Sequence, residues 1–417
     1  MTTTKNNGHK KLNVPNKQEQ NQTCLDSAER EGLSPNGNVP NLRFPEFQGE
    51  WSVTTLQKDC IVNPTNEKIA DKFVYVDLES VKQGQLYKYQ ILTKDNAPSR
   101  AQRVLHTDDI LFQCVRPYQM NNYMVKGTMS DIQWVASTGY AQIRTQTDYP
   151  AFLYYVLNTS KYNKAVMVRC TGSSYPAINS EDLSKIPFYK CGIAEQKKIA
   201  DFLFLLDERI ATQNKIIEDL KKLKSAIIEK VYSEIQGKEY SYGQLFDVVN
   251  ERNKQMEYSN ILSASQEKGM VNRDDLNLDI QFERSNINTY KIVRKGDYVI
   301  HLRSFQGGFA FSDKLGVCSP AYTILRPNSI LEYGYLSNYF TSQRFIKSLV
   351  LVTYGIRDGR SINVEEWLRM KITIPPKEHQ QYIVKVIGTF ERKIEDEEAY
   401  AAQLSKQKQY LLRQMFI

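Results

Sequence analysis

The sequence predicts an α+β chain built twice: a mixed α/β unit followed by a long amphipathic helix, then the same plan again, with the two helices pairing antiparallel as a coiled coil. Three observations predict it. Two stretches of about forty residues each carry one apolar stripe at helical spacing. The two stripes superimpose at a constant offset of 184 residues, the mark of an internal repeat. Short β-type runs broken by turn residues precede each helix. A length of 417 residues agrees, since it exceeds what one core ordinarily organises.

Residues 1–40 are rich in Asn, Gln, Lys and Ser without a period, and a disordered polar tail is expected there. Apolar residues begin at Leu42, Phe44, Phe47 and Trp51, and residues 41–190 form the first mixed unit. Its β-type runs are FVYVDL (73–78) and DILFQCVR (109–116), and AFLYYVLNTSKYNKAVMV (151–168) reads as an amphipathic helix with an aromatic face. Residues 191–235 are the first long helix, striped by Ile199, Leu203, Leu206, Ile210, Ile217, Leu220, Ile227 and Val231. Residues 236–375 are the second mixed unit, with runs DYVIHLR (297–303), GGFAFS (307–312) and AYTILR (321–326) before the helix-type stretch YLSNYFTSQRFIKSLVLV (335–352). Residues 376–417 are the second long helix, striped by Ile383, Ile387, Phe390, Ile394, Ala401, Leu404, Leu411 and Met415.

Subtracting 184 from the second stripe returns the first, member for member. Ile178-Asn179 also match Ile362-Asn363, Glu181 matches Glu365, and Gln196 matches Gln380. Only six positions are identical between 178–210 and 362–394, so register rather than identity carries the repeat. Further upstream the halves do not align without gaps. One scaffold bearing two diverged heads is the expectation.

Composition narrows the function. Apolar residues at 41%, charged at 24% and aromatic at 11% exclude a wholly disordered chain. No apolar run approaches the ~18 residues of a spanning helix, and MTTTKNNGHKK lacks the apolar core of a signal peptide. The six cysteines form no CxxC pair and have no histidine cluster beside them, so neither a zinc site nor a disulfide framework is suggested. A cytoplasmic protein without a membrane partner is expected. The net charge of +8 is divided evenly: 17 basic against 14 acidic residues over 41–190, 8 of each over 191–235, and 18 against 15 over 236–375. An excess of +3 on each mixed unit fits a polyanion.

Catalytic constellations do not emerge. There is no GxxxxGK[ST], no strand-linked GxGxxG, no GxSxG and no HExxH. Asn63-Pro64-Thr65 is the nearest string to the Asn-Pro-Pro-aromatic segment of adenine methyltransferases, and it lacks the second proline and the ring. His9, His106, His301 and His379 are scattered, and no metal site is indicated. Glu391-Arg392-Lys393 has the E-x-K spacing of metal-dependent nucleases but sits within the second long helix, where it reads as a charged face.

The segments NVPNLRFPEFQGEW (38–51), GIAEQKKIADFLFLLDERIATQNKIIEDLKKLKSAIIEKV (192–231) and DGRSINVEEWLRMKITIPPKEHQQYI (358–383) resemble the specificity subunit of type I restriction–modification systems. In that family a Leu and Ile approach, a proline and Glu-Gln open each long helix. Here the first copy has Leu183, Ile186, Glu195 and Gln196, and the second has Leu368, Pro375, Pro376, His379 and Gln380. His379 in place of Glu, and Cys191-Gly192 in place of prolines, are the departures. The resemblance spans residues 38–417. It implies a non-catalytic subunit with two target recognition domains, 41–190 and 236–375, each reading one half of a bipartite double-stranded DNA target. The helices would set the spacer and dock two modification subunits. Those partners would bring S-adenosylmethionine for adenine methylation, and restriction subunits would bring ATP- and Mg-dependent translocation and cleavage, so this chain needs no cofactor of its own. A stand-alone methyltransferase or nuclease with divergent motifs is the alternative from another class. A coiled-coil protein that binds only protein is a third.

Two loops occupy the same slot before the matched Ile-Asn: RCTGSSYPAIN (169–179) and TYGIRDGRSIN (353–363). Arg357 and Arg360 are suited to guanine O6 and N7, Ser173, Ser174 and Tyr175 to phosphate or sugar, and Arg169 is a further DNA-binding candidate in the first loop. The plainer reading is a polar turn leading into a helix, with the arginines paired to carboxylates such as Asp358. Arg100, Arg103 and Arg116 in the first head, and Arg303, Ser304 and Gln306 in the second, flank β-runs and are further candidates for a groove-facing surface.

Overall fold

A computed structural model describes residues 37–65, 67–127, 132–172, 174–265, 268–276, 284–301, 308–354 and 361–417. Residues 1–36 of the expected tail lie outside these. Its last residues are already part of the fold, because Pro40 is buried and Trp51 donates its backbone N–H to the Asn38 carbonyl at 2.7 Å. The chain divides into two compact units, Met1–Ala211 with Ala402–Ile417, and Thr212–Ala401. The long helices are continuous elements, Ile193–Ser233 and Lys377–Gln414, and each contributes a part to both units.

In the first unit, Ser52–Thr55 pairs antiparallel with Pro187–Lys190, which joins the beginning of the head to its end. Between them lie two four-stranded sheets. One runs Cys60–Val62, Tyr140–Thr145, Ile110–Gln113, Tyr123–Met124 and is antiparallel throughout. The other runs Gln90–Thr93, Lys72–Val76, Gln133–Ser137, Ala101–Leu105 and has one parallel pair. Ile110–Gln113 is buried at every position, which explains its unbroken apolar run in place of alternation. Trp51, 1% exposed, packs edge-on against Phe152 and Phe416, so the N-terminal segment is closed by the residues that follow the C-terminal helix.

The second unit repeats the plan. Lys238–Ser241 pairs with Lys371–Ile374, and one sheet runs Phe246–Val249, Thr323–Pro327, Tyr298–Ile300, Phe309–Phe311, the order of the first antiparallel sheet. The heads match at the level of single side chains, although their sequences align only with gaps. Asp109, fully buried, holds Arg144 of the neighbouring strand through two bonds of 2.8 and 2.9 Å, and accepts from the backbone of His106 at 2.8 Å. Asp297, 2% exposed, holds Arg326 through two bonds of 2.9 and 3.0 Å and accepts from the backbone of Arg294 at 2.8 Å.

The stretches 151–168 and 335–352 are not single helices. The first breaks into Pro150–Leu157 and Ser160–Val168, where the Thr159 hydroxyl accepts from Tyr162 N at 3.2 Å as an N-cap. The second breaks into 3-10 turns at Tyr339–Thr341 and Leu349–Val352 around a helix, Gln343–Ser348, capped by Ser342 on Phe345 N at 3.2 Å. A hydroxyl that satisfies the backbone locally competes with helix continuation.

Matched residues do matched work where head meets helix. Asn179 and Asn363 each cap a short helix by accepting from Asp182 N and Glu366 N. Gln196, 1% exposed, accepts from Tyr149 N at 2.8 Å and donates to Asp148 Oδ1 and the Cys191 carbonyl, both at 2.9 Å. Gln380, also 1% exposed, accepts from Glu332 N at 2.7 Å and donates to the carbonyls of Ile330 and Pro375 at 3.0 and 2.9 Å. The departure at His379 falls where the first copy uses its glutamate, Glu195. Its carboxylate takes Arg43 of the N-terminal segment through two bonds of 2.7 Å, whereas His379 is exposed.

The long helices pair antiparallel within each unit. In the first, Leu411, Met415 and Phe416 join the core around Ile199 and Leu203, and Lys408 reaches Asp207 at 2.5 Å. In the second, Ile217 and Leu220 pack with Ile394 and Ala401, while Lys224 reaches Glu391 at 2.7 Å and Lys221 reaches Glu398 at 2.6 Å. Glu391 of the E-x-K string is thereby a helix-to-helix partner. Gln213 donates to the backbone carbonyl of Glu397, the residue 184 positions on and hence its own counterpart. At the end of the central helix the buried face is Ile228 and Tyr232 rather than Ile227 and Val231. A 3.6-residue turn drifts against a seven-residue stripe, and here the helix leaves its partner for the core of the second head.

Candidate nucleic-acid interface

The loop over 169–179 is fastened to the end of the buried strand Ile110–Gln113. Thr171 and Ala177 exchange backbone bonds of 2.9 Å, Ile178 N donates to the Cys114 carbonyl at 3.0 Å, and Arg116 N donates to the Pro176 carbonyl at 2.8 Å. This pairing brings Tyr175, 63% exposed, under the Arg116 guanidinium at 4.4 Å from its ring centroid. Two of the residues singled out in the sequence thus meet.

Arg116 has φ 54°, left-handed and unusual for a residue with a side chain. It opens a 3-10 turn, Pro117–Gln119, which closes on Met120 with φ 52°. Backbone held in this region costs of order 1–3 kcal/mol per residue and needs surrounding structure to enforce it. That structure is an amide network that the sequence reading passed over. Gln113, 1% exposed, accepts from Asn121 N at 3.1 Å and donates to the Val115 carbonyl and to Gln119 Oε1, both at 2.8 Å. Asn121 Oδ1 accepts from Gln83 N at 3.1 Å, and Asn122 Oδ1 accepts from Gln113 N at 2.8 Å. The amide-rich string YQMNN (118–122) was the available signal. Arg116, Tyr175, Gln113, Gln119 and Asn121 line an open cleft of about 450 Å³.

The remaining candidates are dispersed. Arg169 turns back on its helix, donating to the Ala165 carbonyl at 2.9 Å. Arg103 lies half-buried on the strand Ala101–Leu105, and its buried Nε has no hydrogen-bond partner within the described structure. Burial holds its guanidinium below the usual arginine range. Arg100 and Ser174 are exposed. Ser173, Arg303, Ser304, Gln306, Arg357 and Arg360 lie outside the described residues. The flanks of the second loop, Thr353–Tyr354 and Ser361–Ile362, pair antiparallel, so that loop is closed at its base as the first one is.

Among the described residues no helix is long and apolar enough to cross a membrane, and no group of three or more metal-ligating side chains converges.

Comparison with known proteins gives one consistent result. The family model for the type I restriction modification DNA specificity domain matches residues 60–222 and again residues 237–406. A chain solved in work on complex assembly and conformational transition of the type I R-M system is 19% identical, with 87% of this chain and 96% of that one covered at a TM-score of 0.56. The S subunit of a type I restriction-modification system from M. genitalium is 14% identical, with 91% and 99% covered at a TM-score of 0.52. No curated protein matches the chain.

Proposed function

The chain belongs to the type I restriction modification DNA specificity family, matched over both of its repeats, and we propose on that premise that each head reads one half of a bipartite DNA target. The family is one of non-catalytic DNA-recognition subunits, which disfavours a stand-alone methyltransferase or nuclease. Target choice is therefore this chain's contribution, and reaction chemistry belongs to its partners.

The observation that carries the proposal is duplication with divergence. The junctions repeat in their backbone bonds: Gln196 and Gln380 each accept one N–H and donate to the carbonyl five residues earlier, and Asn179 and Asn363 cap matching short helices. The heads share the Asp-Arg brace, but their sequences do not align without gaps. Such a chain presents two similar supports with two unlike reading faces, which suits an asymmetric target better than a palindrome. In this proposal Arg116, Tyr175 and their loop serve the first half-site, while Arg357, Arg360 and Arg303 serve the second. The antiparallel helices set the spacer and dock two modification subunits, to which restriction subunits add. S-adenosylmethionine, ATP and Mg enter with those partners, in the cytoplasm.

Sequencing the adenine methylome of the source cells with and without this gene tests the reading. Loss of one bipartite motif on deletion is expected. A methylome that is unchanged, or that loses a palindromic or continuous motif, overturns it.

A further inference from the structure

We propose that the cleft beside Arg116 reads a guanine through its major-groove edge, with Gln119 and Asn121 as specificity-determining donors. The inference rests on the proposed function and deepens it by naming the base.

The argument is one of hydrogen-bond polarity. An amide side chain can present either its oxygen or its nitrogen, and the orientation is normally open. Here backbone groups force it. Asn121 N can only donate, so the Gln113 atom that receives it is the oxygen. The Val115 carbonyl can only accept, so the other Gln113 atom is the nitrogen. That nitrogen also donates to Gln119, which therefore turns its oxygen inward and leaves its NH₂ for an incoming ligand. Asn121 is fixed in the same way: its oxygen receives Gln83 N, and its NH₂ remains. Arg116 adds a guanidinium, which can never accept. Among the described residues the cleft has one carboxylate, Glu79, at its exposed rim, where one oxygen takes Lys88 at 2.8 Å. The groups fixed at the Arg116 end of this cleft, Gln119, Asn121 and the guanidinium, thus present donors.

A surface made of donors is complementary to an edge made of acceptors. In the major groove guanine alone presents two, N7 and O6, whereas adenine and cytosine place an amino donor there. The major groove, about 12 Å wide, admits a protein turn, and the minor groove at about 6 Å does not take a 3-10 turn with an arginine stacked on a ring. The strained backbone at Arg116 and Met120 is the cost of projecting Gln119 from that turn.

The test uses the full chain assembled with its modification subunits, selecting from a randomised DNA library. Gln119→Leu removes the donor, and Gln119→Glu places an acceptor where the donor was. For the wild type, selection of guanine at one position of one half-site is expected. Q119L should lose that preference roughly fivefold or more at that position alone. Q119E should move it toward cytosine or adenine. Selection of no sequence by the wild type would sink the functional reading itself. A wild-type motif that both variants leave unchanged, or weaken equally on all sequences, would overturn only the guanine assignment. So would a lost preference for A·T at the affected position. If neither variant selects DNA although both assemble and melt like wild type, Gln119 braces the turn and the assignment also fails.

Discussion

Replacing Gln196 by alanine isolates the role of the repeated glutamine. Its side chain is 1% exposed and makes three hydrogen bonds, to Tyr149 N, Asp148 Oδ1 and the Cys191 carbonyl. Asp148 keeps a second partner, Lys190, at 3.2 Å, but the Tyr149 N–H and the Cys191 carbonyl lose theirs. Each stranded group costs about 1–3 kcal/mol, so the local loss is about 3 kcal/mol. At 1.4 kcal/mol per factor of ten this is roughly a hundredfold in the local opening equilibrium. A single unfolding free energy is ill-defined in a chain of two units, so hydrogen exchange is the appropriate assay. Peptides covering 149–157 and 187–203 should lose protection about a hundredfold in Gln196→Ala, while those covering 330–340 and 371–387 stay as in wild type. Gln380→Ala should give the converse pattern. Gln196→Glu sharpens the point, because it puts a carboxylate against Asp148 and a carbonyl. Its folded-state pKa is then raised, so its destabilisation grows as pH rises above the ordinary carboxyl value and shrinks as pH falls. Equal loss of protection in both units, or a cost for Q196E that does not vary with pH, would refute this account of the junction.

Removing the buried brace should separate the two heads functionally: Asp109→Ala strands Arg144 at a cost of about 3–5 kcal/mol and is expected to abolish recognition of the first half-site only, read by competition binding. Asp297→Ala should do the same for the second half-site through Arg326. The helices set the spacer in the proposal, and Lys224 lies opposite Glu391, so two heptads inserted after Lys224 must be matched by two after Glu391. The doubly lengthened protein gains ~21 Å of helix and should prefer up to ~6 more spacer base pairs, read as the motif in its methylome. A parental spacer would mean that the partner subunits hold the heads apart.

What the sequence made legible was what periodicity encodes. The stripes from Ile199 and from Ile383 needed only a list of apolar positions, and the 184-residue offset came with them. The same offset later appears as an ion pair, since Asp207–Lys408 and Lys224–Glu391 are one contact made twice. The heads were less legible because their strands are two to six residues long and joined by loops of unequal length, which destroys a gapless match. A trace did exist in AQIR (141–144) and TILR (323–326), each ending in the arginine that meets a buried aspartate. The site was partly visible. Arg116 and Tyr175 were singled out separately, but their meeting depends on a loop pairing with a strand that ends sixty residues earlier. Gln113, Gln119 and Asn121 were passed over because an amide carries no charge and no period. Only the pattern of bonds shows which way each one points.

Exchanging one head tests the central claim most directly. Ser52 and Lys190 are paired neighbours at the two ends of the first head, so residues 52–190 can be replaced by the corresponding segment of a relative with both junctions in register. The adenine methylome of cells carrying the chimera is then sequenced. The account predicts a motif with one new half-site, the other half-site and the spacer remaining parental. A motif changed in both halves, or in neither, would contradict it.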